Sequence, residues 1–253
     1  MLLPQGKKIY FASDNHLGAP KPEESAPRER IFVQWLDHIK EDVGVLFLLG
    51  DLFDFWFEYK TVVPKGFVRV LGKLAELADA GVPIHFFVGN HDLWMLDYFE
   101  KEIGVKVHYA PGEFTFNDKS FFIGHGDGLG PFDKGYKRMK KVFKNPFFQW
   151  CFRWLHPDWG MRLGHYLSVK NKLISGEEDA VFLGEEHEWL AQYAKRKNQE
   201  KARDYYVFGH RHIPLDIPIE QQARYINLGD WISHYTYAVF DGKELELKSW
   251  KTP

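Results

Sequence analysis

The chain has 253 residues, of which 45% are hydrophobic and 27% charged, a composition typical of a globular protein. Its formal net charge of -2 gives no overall attraction to polyanions, so we expect no nucleic-acid partner. The single cysteine, Cys151, excludes a disulfide framework and indicates a reducing compartment. Neither a secretory signal nor an apolar run of about 18 residues is recognisable, so we expect a cytoplasmic protein without a membrane span.

Strand and helix patterns alternate along the first half of the chain, which is typical of an α/β domain. Strand patterns cover residues 7–14, 43–51, 82–92, 106–110, 113–118 and 120–127, and helical spacing covers 28–42 and 67–81. Further strand patterns follow at residues 204–210, 223–230, 235–240 and 244–250. An Asp-Gly dipeptide joins the last two and predicts a β-hairpin.

A segment of different character lies between these two halves. From residue 134 to residue 172 there are ten Lys or Arg against one acid, interleaved with Phe and Trp. We predict a helical insertion at 134–203 within a core formed by 1–133 and 204–253. Apolar residues at helical spacing more often pack in a core, and basic residues more often face solvent. A basic and aromatic amphipathic helix also suits an anionic membrane surface.

Polar side chains that can bind metals follow five of the predicted strands. They are Asp14 and His16, Asp51, Asn90 and His91, His125, and His210 and His212. Functional groups gather beyond the carboxyl ends of parallel strands, although each group alone could be a cap or a turn. Imidazole, carboxylate and amide ligands together suit Mn²⁺, Fe²⁺ or Zn²⁺. So many ligands favour two metals that share a carboxylate.

The stretches "SDNH", "GD", "GNHD", "GHGD" and "GHRH", in this order, resemble the five motifs of calcineurin-like metallophosphoesterases. The resemblance implies a four-layer αββα sandwich with a two-metal site. Its first metal would be held by Asp14, His16, Asp51 and His212, and its second by Asp51, Asn90, His125 and His210. Beside the ligand Asn90, the family places a residue that faces the substrate phosphate. His91 would therefore stabilise transition-state charge or protonate the leaving group.

Three longer stretches resemble the UDP-2,3-diacylglucosamine hydrolases of lipid A biosynthesis: "GDLFDFWFEY", "HGDGLGPFDKGYK" and "NLGDW". The resemblance implies a Mn²⁺-dependent enzyme that cleaves the substrate pyrophosphate to UMP and 2,3-diacylglucosamine 1-phosphate. The insertion would form a lid over the acyl chains, peripheral to the cytoplasmic face of the inner membrane, and no obligate protein partner is expected. His91 departs from the arginine of well-known members.

The same resemblance implies that Asp133 binds the glucosamine. From their position in the chain alone, we expect Lys170 and Lys172 to contact the substrate's phosphates. A general metal-dependent phosphodiesterase or phosphatase remains the alternative function. A non-enzymatic scaffold with a vestigial metal site is disfavoured, because all seven ligands are present.

Overall fold

Eleven strands and six α-helices occupy residues 2–130, 134–175 and 181–250, the parts of the chain that the computed structural model describes, excepting the side chains of 134–136, 169–175 and 221. The strands are β1 (Lys8–Ala12), β2 (Val43–Leu48), β3 (Ile84–Phe87), β4 (Lys106–His108), β5 (Gly112–Phe116), β6 (Lys119–Ile123), β7 (Tyr205–Phe208), β8 (Pro214–Pro218), β9 (Arg224–Leu228), β10 (Thr236–Phe240) and β11 (Leu245–Ser249). The helices are α1 (Pro22–Ile39), α2 (Val68–Asp79), α3 (Lys134–Phe143), α4 (Pro146–Arg153), α5 (Pro157–Ser175) and α6 (Trp189–Glu200). A π-helical turn spans Phe99–Ile103 and a 3₁₀ turn spans Glu220–Gln222.

The strands form two mixed sheets. The first has the order β11-β10-β1-β2-β3-β4, and the second has the order β5-β6-β7-β9-β8. Within the first sheet β1 to β4 are parallel, and within the second β6, β7 and β9 are parallel. Antiparallel strands lie at the edges: β10 and β11 on the first sheet, and β5 and β8 on the second. The predicted hairpin of β10 and β11 is confirmed.

Strand periodicity explains how the two sheets stack. Successive side chains of a strand point to opposite faces, so a strand buried on both faces carries apolar residues throughout. In β1, Tyr10 packs with α1 and α2, whereas Ile9 and Phe11 pack against the second sheet. On the far side of the second sheet, Tyr206 packs against α6. The expected four-layer αββα sandwich is therefore confirmed.

Two elements differ from the sequence predictions. Helix α1 begins at Pro22, six residues before the predicted start, because proline is well tolerated in the first turn of a helix. Strand β8 was not predicted. It carries proline at both ends, Pro214 and Pro218, and such residues are tolerated on an edge strand, where β8 lies.

Helices α3 to α6 all fall within the segment predicted as an insertion. The side chains of Leu190, Ala191 and Ala194 on α6 are fully buried against the second sheet, so α6 forms part of the outer layer. Helix α4 instead has no buried residue and exposes large aromatic side chains, among them Trp150. The boundaries of a separate lid stay a prediction. No helix in the described ranges is long and apolar enough to cross a bilayer.

Candidate metal centre

The predicted ligands converge on one edge of the sandwich, where parallel strands of both sheets end. They follow β1, β2 and β3 of the first sheet and β6 and β7 of the second. Five of them have left-handed backbone conformations: Asp14 (φ 57°), His16 (44°), Asp51 (51°), His210 (72°) and His212 (53°). Such conformations are costly for residues other than glycine and cluster at functional sites.

The first group of ligands lies around Asp14. The Nε2 atoms of His16 and His212 are 3.1 Å apart, and His212 Nε2 is 3.3 Å from Asp14 Oδ1. His16 Nε2 also lies 3.7 Å from Asp51 Oδ2. All four predicted ligands of the first metal are therefore together, with their donor atoms facing one another.

The second group is centred on His125. Its Nε2 atom lies 3.3 Å from Asp51 Oδ2 and 3.1 Å from the side-chain oxygen of Asn90. Asp51, His125 and His210 offer ligand atoms within 4.8 Å of one another. Asp51 thus adjoins both groups, as the predicted bridging carboxylate must.

A hydrogen bond to one imidazole and an ion-pair contact to another, each at the opposite ring nitrogen, aim the two rings inwards. His125 Nδ1 lies 2.6 Å from the Leu49 carbonyl oxygen, which can only accept, so Nδ1 donates and Nε2 is the nitrogen that faces the other ligands. On the other side, His16 Nδ1 lies 3.5 Å from Asp54 Oδ1. Carboxylate and carbonyl partners of this kind orient metal-binding histidines in proteins.

Glycine makes room for the bridging carboxylate. A Cβ atom at Gly89 would collide with the carboxylate of Asp51, and one at Gly209 would lie 2.5 Å from that of Asp14. The glycines in "GNHD" and "GHRH" are therefore required by the close approach of a ligand from a neighbouring strand.

The electrostatics of the cluster favour bound cations. Burial opposes ionisation of Asp14, but His212 outweighs it and lowers the pKa of that carboxyl to about 2. Burial likewise opposes ionisation of Asp51, yet the neighbouring His125 holds its pKa well below the usual range. Asp14 Oδ1 is buried and accepts no hydrogen bond from the described residues. Two buried carboxylates, an unsatisfied oxygen and inward-facing imidazole nitrogens fit divalent cations.

His91 occupies the rim of the cluster. Its Nδ1 atom lies 2.9 Å from the Asp54 carbonyl oxygen and 2.9 Å from Ser168 Oγ. Its side chain is 11% exposed, more open than those of His16 and Asp51, which are 1% exposed. It can also offer a ligand atom within 4.8 Å of theirs. The geometry therefore leaves His91 able to meet either a substrate or a cation.

Three residues of the site were not singled out from the sequence. Asp54 lies between His16 and His91, and Ser168 of α5 donates to it. Asp92 accepts hydrogen bonds from the backbone of Gly89 and Leu52, which links the loop after β3 to the loop after β2. Burial and the charge of Asp51 raise the pKa of Asp92 to about 8. Asp54 and Asp92 stand inside the recognised motifs, but nothing in the sequence pairs Ser168 with them.

The three predicted substrate contacts are not described. Asp133 lies outside the described residues, as do the side chains of Lys170 and Lys172, whose backbone belongs to α5. Their roles stay predictions.

Comparison with known proteins agrees with the geometry of the site. The calcineurin-like phosphoesterase family model matches residues 7–214. A UDP-2,3-diacylglucosamine hydrolase of Porphyromonas gingivalis is 39% identical over 255 residues, covering 96% of this chain and 97% of the relative. Proteins of the same name from Haemophilus influenzae and Actinobacillus succinogenes are 29% and 25% identical, covering 90% and 88% of this chain and 92% of each relative. The chain therefore belongs to the calcineurin-like phosphoesterase family, as its motifs indicated.

Proposed function

We propose that this protein is a UDP-2,3-diacylglucosamine hydrolase. Water would attack the α-phosphorus, the bond from that phosphorus to the bridging oxygen would break, and UMP and 2,3-diacylglucosamine 1-phosphate would leave. The full-length similarity to hydrolases of this substrate supports the choice.

The observation that carries the proposal is an apolar cavity beside the metal cluster. It has a volume of about 300 Å³ and reaches Asn90 and His91. Aromatic and aliphatic side chains line it, including Trp94, Phe143 and Leu167. Because two of its walls come from α3 and α5, the predicted insertion would cover an acyl chain at the point where phosphate chemistry takes place.

The two groups of ligands would each hold one metal ion, as the motifs imply. Asp14, His16, Asp51 and His212 would hold one cation, and Asp51, Asn90, His125 and His210 the other. When bound, two divalent cations supply a lowered water pKa and Lewis-acid stabilisation of charge on the phosphoryl oxygens. We propose Mn²⁺ as the native metal, since mixed carboxylate, amide and imidazole ligands suit it.

His91 would act on the leaving-group side. The Asp54 carbonyl fixes its Nδ1–H, so Nε2 is the nitrogen left to meet a phosphoryl oxygen. Protonated, it would donate a hydrogen bond to the departing sugar phosphate, which lies towards the apolar cavity that His91 lines. This assignment gives His91 the task of charge stabilisation without making it a ligand.

We further propose that the protein acts in the cytoplasm at the inner face of the membrane. Phe147 and Trp150 of α4 and the following Trp154 are exposed, Trp150 contacts both of the others, and the basic Arg153 lies between Trp150 and Trp154 in the chain. Apolar and cationic groups on one surface suit an anionic bilayer, from which an acylated substrate would be drawn.

The test is hydrolysis of the lipid substrate in ¹⁸O-labelled water. Mn²⁺-loaded protein should release UMP and 2,3-diacylglucosamine 1-phosphate, with the label in UMP. The Asp51→Asn variant should release neither, which controls for contaminating enzymes. Turnover of a soluble chromogenic phosphodiester without any release of UMP from the lipid would overturn the proposal. Label in the sugar phosphate instead would overturn the site of attack.

A further inference from the structure

A second cavity adjoins the metal cluster and has no role in the function described so far. It lies beside His125, has a volume of about 610 Å³ and is bounded by Phe87, Asp127 and α3. Cavities of this size are typical of sites for small molecules. The apolar cavity meets the cluster at Asn90 and His91, so the two cavities reach the cluster through different ligands.

Helix α3 lies between the two cavities and lines each of them with a different type of side chain. Lysines 137, 140, 141 and 144, at helical spacing i, i+3, i+4 and i+7, all line the larger cavity. Met139 and Phe143, four residues apart, line the apolar cavity. One amphipathic helix therefore gives the cluster a cationic side and an apolar side.

The lysines of the larger cavity outnumber its carboxylates. Asp127 is the only carboxylate among its described lining residues, and it pairs with Lys140. Lys144 donates to the Tyr109 carbonyl oxygen at 3.2 Å and Lys137 to that of Gly130 at 2.6 Å. Burial, and then the charge of Lys140, lowers the pKa of Lys144. A bound anion would relieve this repulsion.

Aromatic side chains line the same cavity as the lysines. The rings of Phe87 and His108 stack with centroids 4.6 Å apart and planes 16° from parallel. Tyr109 is half-exposed and is held in place because its hydroxyl donates to the Met95 carbonyl oxygen at 2.9 Å. Aromatic surfaces and cations in one cavity suit a ligand that carries both a planar ring and a phosphate.

We propose that the lysine-lined cavity binds the nucleoside monophosphate half of the substrate, with its phosphate towards α3 and its base towards Tyr109. The inference rests on the proposed function. It assigns the two parts of the substrate, on either side of the bond that is cleaved, to different cavities. The acylated sugar phosphate occupies the apolar cavity beside His91, and the nucleoside half lies on the His125 side.

The test measures direct binding of UMP to Mn²⁺-loaded protein by calorimetry. The double substitution Lys141→Gln and Lys144→Gln should weaken binding of UMP and of inorganic phosphate alike, each at least about tenfold, because these lysines face the phosphate. Tyr109→Ala removes the surface that faces the base, so it should weaken UMP binding at least about fivefold and change phosphate affinity less than about twofold. Arg138→Gln is the matched control, because Arg138 is exposed on the same helix and lines neither cavity. It should leave UMP affinity within about twofold of wild type.

Two results would overturn the subsite. Unchanged UMP affinity in the double variant would mean that the lysines do not take part in binding UMP. Unchanged UMP affinity in Tyr109→Ala would mean a general anion site that does not recognise a nucleoside. Failure of the proposed function looks different: wild type would not hydrolyse the lipid substrate, while the lysine dependence of UMP binding would persist.

Discussion

Ser168 donates a hydrogen bond of 2.9 Å to the carboxylate of Asp54, although 114 residues separate the two in the chain. Both side chains are buried. Asp54 in turn lies beside His16 and His91, two histidines of the candidate metal centre. This contact ties α5, in the predicted insertion, to the chemistry at the strand ends.

Substituting Asp54 should therefore weaken metal binding without unfolding the protein. In Asp54→Asn the charge that faces His16 Nδ1 is lost, and affinity for the first metal should fall about 10- to 100-fold, as for other carboxylate partners of metal-binding histidines. Metal content after dialysis, measured by mass spectrometry, checks this.

The Ser168→Ala variant should bind metal like wild type but hydrolyse the substrate more slowly. Asp37→Asn, an exposed carboxylate on α1, is the control and should match wild type.

Removing the shared carboxylate should empty both sites. Asp51 lies within 3.7 Å of His16 and 3.3 Å of His125, so Asp51→Asn deprives each group of its anionic centre. We expect the variant to stay folded, with little bound metal and no measurable turnover. Circular dichroism and metal analysis of the same sample separate the two effects. An active variant with two bound metals would refute the bridging role.

His91 should matter for turnover more than for metal content. His91→Gln removes the imidazole, and we expect a fall in kcat on the order of a hundredfold, typical for loss of a general acid or a charge-stabilising donor. Metal stoichiometry should stay at the wild-type value. If metal is lost as well, His91 is a ligand, which its proximity to His16 and Asp51 would allow.

Local sequence patterns were sufficient for the layers and for placing the candidate ligands at the ends of strands. Continuous apolar runs mark strands such as β2, buried on both faces, and the polar residue after each run must lie at the carboxyl edge of a sheet. Asp51 and His125 follow strands of different sheets, so their pairing rests on the resemblance to the metallophosphoesterase motifs and not on strand direction.

Contacts between distant segments could not be predicted in the same way. The bond from Ser168 to Asp54 depends on where α5 packs, and serine is common enough to carry no signal of its own. The lysines of α3 were counted as part of a basic segment, but only the packing of that helix shows that one face meets one cavity. Edge strand β8 was missed because its prolines oppose a strand prediction.

The exposed aromatic residues of α4 and the following Trp154 should govern membrane contact and use of the lipid substrate. Trp154 is 75% exposed and Phe147 is 62% exposed. Because burial of a large apolar side chain contributes roughly 2 kcal/mol, Phe147→Ser with Trp154→Ser should weaken sedimentation with anionic vesicles by at least tenfold. Turnover of the lipid substrate should fall, and that of a soluble phosphodiester should not.

Val68→Ser is the control for this pair of substitutions, since Val68 is 73% exposed but lies at the start of α2. It should bind vesicles like wild type. Equal losses of lipid and soluble activity in the α4 variant would mean that Phe147 and Trp154 support the fold rather than contact lipid.

A pair of histidines away from the metal centre should make stability depend on pH. His85 Nδ1 lies 2.9 Å from His108 Nε2, and burial, followed by the proximity of His108, lowers the pKa of His85 to about 4. An unfolded histidine has a pKa of about 6.5, so between pH 6.5 and pH 4 the unfolded chain binds a proton that the folded one excludes. Stability is therefore complete above pH 6.5 and is lost as the pH falls.

His85→Phe keeps the aromatic stack on Phe47 but cannot titrate. Allowing for the partial exposure of the ring, we expect wild type to lose about 1 kcal/mol more unfolding free energy than this variant between pH 7 and pH 5. Urea unfolding at the two pH values, with metal removed from both proteins, measures the difference. His187→Phe, at an exposed position, should follow wild type. Parallel losses in wild type and His85→Phe would show that a group other than His85 excludes the proton.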